Sequence, residues 1–402
     1  MRDEPVVVVQ GARTVGKSTL LRSLAASADR VVVDLDEPET RDAVDASPSA
    51  FAGGEPPVFI DEYQHVPSIL DAIKAELNRD LRAGRFVLTG STRYSSLPTA
   101  AQSLTGRLHL VTLWPLSQGE IDGVGERFAE RLLSDPATLI TSEVSATARE
   151  DYVARILRGG LPLAVARPSA PSRNRWFDDY VTVVVERDVA DLSRIRQREK
   201  MPALVALLAS QTAQILNVSR AAVEMGIDSS TAEHYVRLLE AAFVIHRLPA
   251  WGKTLRARAS SRPKVHFVDS GVAGRMLRVT AERLAAANPQ AMTELGHLLE
   301  TFCVGEVLKQ TSWLEPRTQA GHWRTHDGDE VGLVLERDDG CVAAIEVKAA
   351  ERVRDADFRG LSKLRKSLGE RFLGGVVLHL GRRGYTVDDR LHALPVDRLW
   401  LA

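Results

Sequence analysis

The segment Gly11-Ala-Arg-Thr-Val-Gly-Lys-Ser18 decides how the N-terminal part of this chain is interpreted. It follows the apolar run at residues 6–9 and opens a helical pattern at residues 17–26. The segment fits G-x-x-x-x-G-K-[ST] at every fixed position, in the strand–loop–helix context that a phosphate-binding loop requires. Backbone N–H groups and a helix N-terminus there surround an anionic phosphate chain. The sequence therefore predicts a nucleoside triphosphate site.

Each polar residue of this loop has an expected role. Lys17 is expected to reach the β- and γ-phosphates, and the Ser18 hydroxyl is expected to bind Mg²⁺. The full set of predicted nucleotide-binding residues is Gly11, Ala12, Arg13, Thr14, Val15, Gly16, Lys17, Ser18 and Thr19.

A second apolar run, at residues 58–60, ends in the carboxylates of Asp61 and Glu62. Asp61 is expected to support the Mg²⁺ shell as a Walker B acid does. Glu62 is then placed to orient or deprotonate a water that attacks the γ-phosphate. The chain contains no Asn-Lys-x-Asp motif for guanine. The Asp61–Glu62 pair and the missing guanine motif together favour an ATPase that hydrolyses its nucleotide.

Two further residues are candidates for catalysis. The run at residues 86–88 is followed by hydroxyl side chains, of which Ser91 is expected to contact the γ-phosphate or the attacking water. Arg107 is expected to reach a phosphate of its own subunit or of a neighbouring subunit, or else to form an ordinary salt bridge. Asp34 and Gln64 are other polar residues near strand ends.

Five apolar runs in the first 120 residues predict a parallel sheet, because they show little internal alternation and are separated by helices or loops. They lie at residues 6–9, 31–33, 58–60, 86–88 and 108–113. The predicted fold class is α/β, with helices on both faces of the sheet. The predicted modules are residues 1–122 (ATPase domain), 123–200 (helical connector), 201–275 (winged-helix domain) and 276–402 (a second mixed α/β domain).

The composition excludes several classes of protein. Of 402 residues, 44% are hydrophobic and 26% are charged, which argues against a disordered chain. The net charge of −1 means that any nucleic-acid contact must come from a local patch. Cys303 and Cys341 give neither a disulfide framework nor a metal-ligand spacing. No apolar run is long enough for a signal peptide or a membrane span. These features predict a soluble, cytoplasmic protein without membrane contact.

The chain resembles the bacterial and archaeal AAA-superfamily ATPases that carry a C-terminal restriction-endonuclease-like domain of unknown function. The matching segments span most of the length: residues 11–18, 59–64, 88–91, 103–107, 114–117 with Glu120, 159–162, Tyr180, 186–188, 264–271, 298–300 and 345–348. The resemblance implies a P-loop NTPase sheet of the AAA/ASCE type, then a helical connector, a winged-helix module and a C-terminal domain with a PD-(D/E)xK-like α/β fold.

Residues 217–239 have the pattern of a helix–turn–helix, with Gly226 at the turn and Asp228 or Ser229 as the second N-cap. Strands at 243–248 and 264–268 would form the wing. Between them lies the most basic short stretch of the chain, with Lys253, Arg256, Arg258, Arg262 and Lys264. This wing is a candidate contact for double-stranded DNA, or alternatively a solvated loop or an interdomain connector.

Residues 330–348 look like the hairpin core of the PD-(D/E)xK fold. Active members use an Asp on the first strand and a Glu-x-Lys on the second to bind Mg²⁺ and activate water. Glu346 and Lys348 are present, and Glu300 on the preceding helix is a further acid, but Gly332 stands at the position of the Asp. We therefore expect a degenerate nuclease site.

The leading hypothesis is a Mg²⁺-dependent ATPase whose nucleotide state repositions the winged-helix and nuclease-like modules on DNA or on a protein partner. One alternative is an ATP-binding regulatory or scaffold protein with little turnover, as in defence or toxin–antitoxin-like systems. Another is a DNA nuclease gated by ATP. Oligomers are compatible with each of these hypotheses.

Overall fold

A computed structural model describes residues 3–96, 104–189, 198–254, 258, 262–285, 288–315 and 317–401. The chain divides into two compact units. The first consists of Met1–Pro115, Val183–Arg196 and Val236–Val244, and the second of Leu116–Thr182, Gln197–Tyr235 and Ile245–Ala402. These units follow a different division from the four predicted modules, whose boundaries stay a prediction.

The strands of the first unit are β1 (Val6–Gly11), β2 (Val32–Asp34), β3 (Val58–Asp61), β4 (Phe86–Gly90) and β5 (Leu108–Leu113). Its helices are α1 (Lys17–Ser27), α2 (Pro38–Ala46), α3 (Pro48–Ala52) and α4 (Ser68–Arg79), with short 3₁₀ turns at Tyr63–His65 and Tyr94–Ser96.

Helices α5 (Gln118–Asp122), α6 (Phe128–Ser134), α7 (Arg149–Arg158), α8 (Pro162–Val165) and α9 (Ala170–Val183) follow, with a 3₁₀ turn at Pro136–Leu139 and a π-helical turn at Val184–Asp188. After a 3₁₀ turn at Arg198–Lys200, the chain forms α10 (Met201–Ser210), β6 (Gln214–Ile215), α11 (Val218–Met225), α12 (Ser229–Ala241), β7 (Ile245–Leu248) and β8 (Lys264–Phe267).

The remaining helices are α13 (Ser270–Met276), α14 (Ala281–Ala285), α15 (Pro289–Thr311), α16 (Arg359–Leu368) and α17 (Arg398–Leu401). The remaining strands are β9 (Thr318–Arg324), β10 (Glu330–Arg337), β11 (Val342–Lys348), β12 (Phe372–His379), β13 (Tyr385–Asp388) and β14 (Leu391–Pro395), with 3₁₀ turns at Asp355–Phe358 and Gly369–Arg371.

The first sheet has the order β2-β3-β4-β1-β5, and every pair in it is parallel. One face packs in a large core with α4, through residues such as Val8, Ile60 and Leu88. The other face packs on α1, through Leu21, Phe59 and Val87. Parallel strands buried on both faces are what a continuous apolar run predicts. The five-stranded parallel α/β sheet is confirmed.

A small antiparallel sheet has the order β6-β8-β7. The two strands predicted for the wing are observed as β7 and β8. Gly226 ends α11 in the left-handed region, with φ 64°, where glycine carries no steric penalty. The backbone N–H of Thr231 donates to Asp228 at 2.8 Å, as expected of an N-cap.

The C-terminal sheet has the order β13-β14-β12-β11-β10-β9. Pairs β9–β10, β10–β11 and β13–β14 are antiparallel, whereas β11–β12 and β12–β14 are parallel. Helix α16 covers one face through Leu361 and Leu364, which pack with Val331, Val334 and Val377. The predicted strands of this region are present, and β9, β13 and β14 are additional to them. Within the described ranges, no helix is long and apolar enough to cross a membrane.

Candidate functional site

The loop between β1 and α1 has the backbone shape of a phosphate-binding loop. Gly16 caps α1 with φ 109° and ψ 8°, and Thr14 also lies in the left-handed region with φ 62°. A Cβ on Gly16 would meet no atom within 4 Å, so glycine is needed there for its backbone conformation. The buried Lys17 ammonium donates to the carbonyl oxygens of Gly11 and Ala12, at 3.1 and 2.9 Å.

Gly11 is required for a different reason. It pairs with Leu113 in the parallel register of β1 and β5. A Cβ on Gly11 would lie 2.3 Å from the backbone oxygen of Leu113, closer than any real contact. The two fixed glycines of the motif therefore serve separate purposes, one in strand packing and one in turning the loop.

Asp61 ends β3 and is 2% exposed. Its Oδ1 accepts a hydrogen bond from the hydroxyl of Thr89, on the adjacent strand β4, and another from the Glu62 backbone N–H at 3.1 Å. Donors of this kind hold a buried carboxylate in one orientation. Thr89 is one of the hydroxyl residues predicted at this strand end, but its contact with Asp61 was not predicted, because it depends on the pairing of β3 with β4.

Glu62 is also buried, and its backbone lies in the left-handed region with φ 52°. Such a conformation is costly for a residue with a Cβ and occurs preferentially at functional sites. The Glu62 Oε2 accepts hydrogen bonds from the Gln64 side-chain amide and, at 3.2 Å, from the Ser91 backbone N–H. Gln64 also donates to the Ser91 hydroxyl at 3.2 Å. The structure therefore brings three predicted polar residues together.

The strand order explains why these residues meet. Strand β4, followed by Ser91, lies between β1, which leads into the phosphate-binding loop, and β3, which leads into Asp61 and Glu62. All three strands run in parallel, so their carboxyl ends form one edge of the sheet. Neighbouring strands are about 4.8 Å apart, which separates β1 from β3 by roughly 10 Å. That edge of an open α/β sheet is where ligands bind.

Arg107 does not lie at this edge. It precedes β5, whose first residue pairs with Val6 at the beginning of β1, whereas the loop follows the end of β1. The length of β1 therefore separates Arg107 from the carboxyl end of β1 by roughly 17 Å. Its guanidinium donates to Asn78 Oδ1 at 2.7 Å. The expectation that Arg107 reaches a phosphate of its own subunit is therefore wrong; a contact with a neighbouring subunit stays a prediction. Asp34 pairs with Arg22 at 3.0 Å.

A second cluster of charged side chains forms in the C-terminal part of the second unit. The Lys264 ammonium is 2% exposed and pairs with Glu300 at 2.6 Å and with Glu330. The three residues come from three elements, since Lys264 lies on β8, Glu300 on α15 and Glu330 on β10. Lys264 was predicted to contact DNA, and that expectation is wrong because the ammonium is buried in an ion-pair network.

The predicted nuclease-like residues lie next to this network. The Lys348 ammonium pairs with Glu346 Oε1 at 2.7 Å, and the Gly332 backbone N–H donates to Glu346 Oε2 at 3.0 Å. A Cβ on Gly332 would lie 3.0 Å from Glu300 Oε1. Residues 300, 330, 346 and 348 line a cavity of about 680 Å³. The structure thus assembles Glu300, Glu346 and Lys348 around the position where Gly332 carries no side chain.

The ionisation of this cluster reflects burial and the two lysines. Burial raises the pKa of Glu300 to about 7, against the opposing effect of Lys264. Burial likewise raises the pKa of Glu346, which Lys348 partly offsets. For Glu330, burial is outweighed by Lys264, and the pKa is lowered. In the part of the chain that the structure describes, no group of three or more His, Cys, Asp or Glu side chains is placed to hold a metal ion.

Comparison with known proteins identifies the N-terminal region. Residues 3–122 match the model of a family described as "AAA domain". They contain the loop at Gly11–Ser18 and the Asp61–Glu62 pair. Residues 3–122 form an AAA-type P-loop domain. Two further matches carry no functional description: "Domain of unknown function (DUF8612)" at residues 149–283, and "Domain of unknown function (DUF4143)" at residues 295–399.

Similar proteins extend over nearly the whole chain. Uncharacterized proteins of Mycobacterium tuberculosis and Mycobacterium bovis are each 26% identical over 396 residues, covering 98% of this chain and 81% of the relative. Among solved structures, a Walker-type ATPase of Pyrococcus abyssi is 14% identical, with a TM-score of 0.40 over 69% of this chain and 91% of that one. The RuvB Holliday junction branch migration motor of Thermotoga maritima is 17% identical, with a TM-score of 0.29 over 61% and 82%.

Outside the AAA domain, most of the predicted DNA-contacting residues bind to the protein itself. Lys253 donates to the backbone oxygen of Ser367. Arg258 pairs with Glu336 at 2.6 Å and lies 5.7 Å from the ring of Trp251. Arg262 is exposed and Arg256 lies outside the described residues. With Lys264 buried as well, three of the five residues are engaged by groups of the same unit, because carboxylates and carbonyls on neighbouring elements face them.

The Gly159-Gly-Leu-Pro162 segment is one of those in which the chain resembles the AAA-superfamily ATPases, and it has a structural role. The buried Asp269 carboxylate accepts from the backbone N–H groups of Gly160 at 2.7 Å and Leu161 at 3.2 Å. A Cβ on Gly159 would lie 2.3 Å from Asp269 Oδ1, and one on Gly160 would lie 2.2 Å from the Leu116 oxygen. These glycines are therefore needed for close backbone packing.

Proposed function

We propose that the AAA domain binds ATP with Mg²⁺ and hydrolyses it to ADP and phosphate. The observation that carries this proposal is the pairing of two buried carboxylates, Asp61 and Glu62, with fixed donors on the strand next to the phosphate-binding loop. Asp61 is held by Thr89, and Glu62 by Gln64 and the Ser91 backbone. This arrangement suits a water-activating reaction, since a phosphate-binding loop alone would account for binding only.

The donor set fits a magnesium-bound triphosphate. The Lys17 ammonium and the N-terminus of α1 would bind phosphate oxygens, and the Ser18 hydroxyl and Asp61 carboxylate are the oxygen ligands that Mg²⁺ prefers. Bound Mg²⁺ would neutralise charge that develops on the β- and γ-phosphate oxygens. Residues 11–19 would hold the nucleotide as a group.

Glu62 is proposed as the residue that orients the attacking water and accepts its proton. Its carboxylate is confined by two donors to one oxygen, Oε2, which leaves Oε1 to receive a proton. Ser91, whose hydroxyl accepts from Gln64, is proposed to align the water or the γ-phosphate. Positioned groups of this kind accelerate phosphoryl transfer mainly by orientation and charge stabilisation.

Turnover by the full-length protein tests this proposal. Phosphate release from ATP should require Mg²⁺ and should fall to background in Lys17→Ala. Lys74→Ala, which removes an exposed lysine of α4 in the same domain, should retain full activity. Tight ATP binding without Mg²⁺-dependent turnover in the parent protein would contradict the hydrolytic role and favour the low-turnover regulatory alternative.

We further propose that β6-β8-β7 with helices α10, α11 and α12 is a winged-helix module, and that β9–β14 with α15 and α16 is a degenerate nuclease-like module. The helix–strand order and the three-stranded antiparallel sheet support the first assignment. The convergence of Glu300, Glu346 and Lys348 supports the second, and the absent carboxylate at Gly332 supports its degeneracy. The nucleotide state of the AAA domain would reposition these modules.

A protein partner is favoured over DNA, because the described basic residues of the wing are mostly paired with the protein itself. Turnover measured with and without double-stranded and single-stranded DNA distinguishes these partners. Turnover indifferent to DNA is the expected result. Stimulation that is lost on Arg262→Ala would instead make the wing a DNA contact, and DNA cleavage with Mg²⁺ or Mn²⁺ that is lost on Glu346→Ala would establish the ATP-gated nuclease.

A further inference from the structure

Three arginines line a cavity of about 460 Å³ in the second unit. Arg155 and Arg158 come from the last turn of α7, and Arg173 comes from α9. We call this group the three-arginine pocket. Three cations around one cavity repel each other, so their partners determine what the cavity is suited to bind.

Arg155 is fully engaged by the protein. Its guanidinium pairs with Asp122 at 2.8 Å and donates to Gln118 Oε1 at 2.9 Å. Its Cζ atom lies 4.9 Å from the centre of the Trp400 ring. Asp122 neutralises the charge of Arg155, so Arg155 lines the pocket without contributing an unpaired positive charge.

Arg158 and Arg173 are not neutralised in this way. Arg158 donates to the neutral Gln118 Oε1 at 3.3 Å. Within the described ranges, no carboxylate forms a salt bridge with either guanidinium, and the buried Nε atom of each has no hydrogen-bond acceptor. Burial lowers the pKa of Arg173. Burial and the nearby Arg155 lower the pKa of Arg158, and the charge of Asp122 offsets this only in part. A buried donor without an acceptor is costly, and more so when it is charged.

The helix dipoles explain the positions of only two of the three arginines. Basic residues in the last turn of a helix interact favourably with its dipole, which explains Arg155 and Arg158 on α7. Arg173, however, lies in the first turn of α9, where the dipole disfavours a cation and favours an anion. The acidic residue of the lining, Asp151, accepts from the Ala148 backbone N–H at 2.9 Å at the start of α7. An excess of positive charge therefore faces the cavity.

We propose that the three-arginine pocket binds a small phosphate-bearing molecule, with Arg158 and Arg173 as the residues that contact its phosphate. Planar guanidinium groups donate in pairs to phosphate oxygens, and such charge-assisted bonds are the strong ones. A cavity of this volume is within the range of small-molecule sites and has room for an organic group beside the phosphate. The bound phosphate would accept from the guanidinium N–H groups that line the cavity and would balance their positive charge.

Isothermal titration of the full-length protein with pyrophosphate and with inorganic phosphate tests this site separately from the phosphate-binding loop. The titrations use protein that carries Lys17→Ala, so that binding at the AAA domain does not contribute. One equivalent of pyrophosphate is expected to bind. Arg158→Ala and Arg173→Ala should each weaken this binding at least tenfold, because each removes a charged donor to the phosphate.

Arg175→Ala is the matched control, since it removes an exposed arginine from the same helix α9 and should leave the affinity unchanged. Arg173→Gln, which keeps most of the aliphatic stem, replaces Arg173→Ala if the latter lowers the unfolding midpoint, and should weaken binding equally. Absence of binding in the Lys17→Ala protein, or equal affinities in the Arg173 and Arg175 variants, would overturn the proposal without affecting the ATPase assignment.

Discussion

The Thr89 hydroxyl donates a hydrogen bond to Oδ1 of Asp61 across the adjacent strands β4 and β3. The same oxygen accepts from the Glu62 backbone N–H. Within the described ranges, the other carboxylate oxygen of Asp61 accepts no hydrogen bond. The Thr89 side chain and the Glu62 backbone therefore hold the same oxygen of Asp61, which fixes the orientation of this carboxylate.

Thr89→Val is expected to lower Mg²⁺-dependent turnover about tenfold, because the isosteric valine removes the donor that orients Asp61. The free energy of unfolding should fall by about 1–2 kcal/mol, since a buried carboxylate oxygen loses a partner. Thr89→Ser keeps the hydroxyl and should retain both properties. Steady-state ATPase assays across a Mg²⁺ titration, together with urea unfolding, measure the two effects. Unchanged turnover in Thr89→Val would show that Asp61 is oriented by other groups.

Glu62→Gln is expected to lower kcat at least a hundredfold while ATP binding persists. Glutamine has nearly the same shape and can still accept from the Ser91 backbone N–H, but it cannot take a proton from water. Stopped-flow binding of a fluorescent ATP analogue and single-turnover hydrolysis separate the two steps. Glu39→Gln, at an exposed position of α2, is the charge-matched control. Residual turnover near the parent rate would remove Glu62 from the catalytic role.

Several features of the AAA domain could be predicted from sequence because each is defined by a short run of consecutive residues. The strand at β1, the loop that ends in Lys17 and Ser18, and the carboxylates after β3 are all read from consecutive residues. The hydrogen bond between Thr89 and Asp61 could not be predicted, since it depends on which strands are neighbours. The position of Arg107, by contrast, follows from the sequence: Arg107 directly precedes the run at residues 108–113, and in a parallel sheet the strands begin at the edge opposite their carboxyl ends.

The C-terminal region shows the same division between local and long-range information. The strands at β10 and β11 are apolar enough to be recognised, whereas β13 is exposed along its whole length and β6 has two residues. Lys264 belongs to a basic stretch that predicts a solvated wing. Its burial becomes evident only when β8 is placed beside α15 and β10, which bring Glu300 and Glu330 to it.

Glu300→Gln is expected to be more stable than the parent protein above pH 7 and to lose that advantage towards pH 5. Burial raises the folded-state pKa of Glu300 from the ordinary 4.5 to about 7. Between these values the folded state holds a proton that the unfolded chain has released, so the parent loses stability as the pH rises. Glutamine carries no such proton, and the difference should reach on the order of 3 kcal/mol by pH 8.

Urea unfolding at several pH values between 5 and 8 measures this difference. Glu315→Gln, at an exposed position after α15, is the control and should follow the parent protein at every pH. A Glu300→Gln protein that becomes less stable than the parent as the pH rises would mean that the ion pair with Lys264 outweighs the cost of burial.

Gly332→Asp is expected to create a response to divalent cations that the parent protein lacks. The new side chain would begin 3.0 Å from Glu300 Oε1, with Glu346 bound to the backbone of the same residue. Without metal, the added negative charge should lower the unfolding midpoint, and Mn²⁺ should restore it. Gly332→Asn has the same shape without the charge and serves as the control. Equal responses of the two variants to Mn²⁺ would show that the missing carboxylate is not what prevents metal binding.

The burial of Lys264 between Glu300 and Glu330 limits which segments of this chain can be exchanged with those of another protein. The cation is encoded on β8, in the small antiparallel sheet, whereas both carboxylates belong to the segment that follows it. A C-terminal segment transferred to another protein without β8 would retain two acidic side chains and lose their counter-ion. Inheritance of the two segments as one block, with compensating changes at all three positions, is the expected pattern among descendants of this sequence.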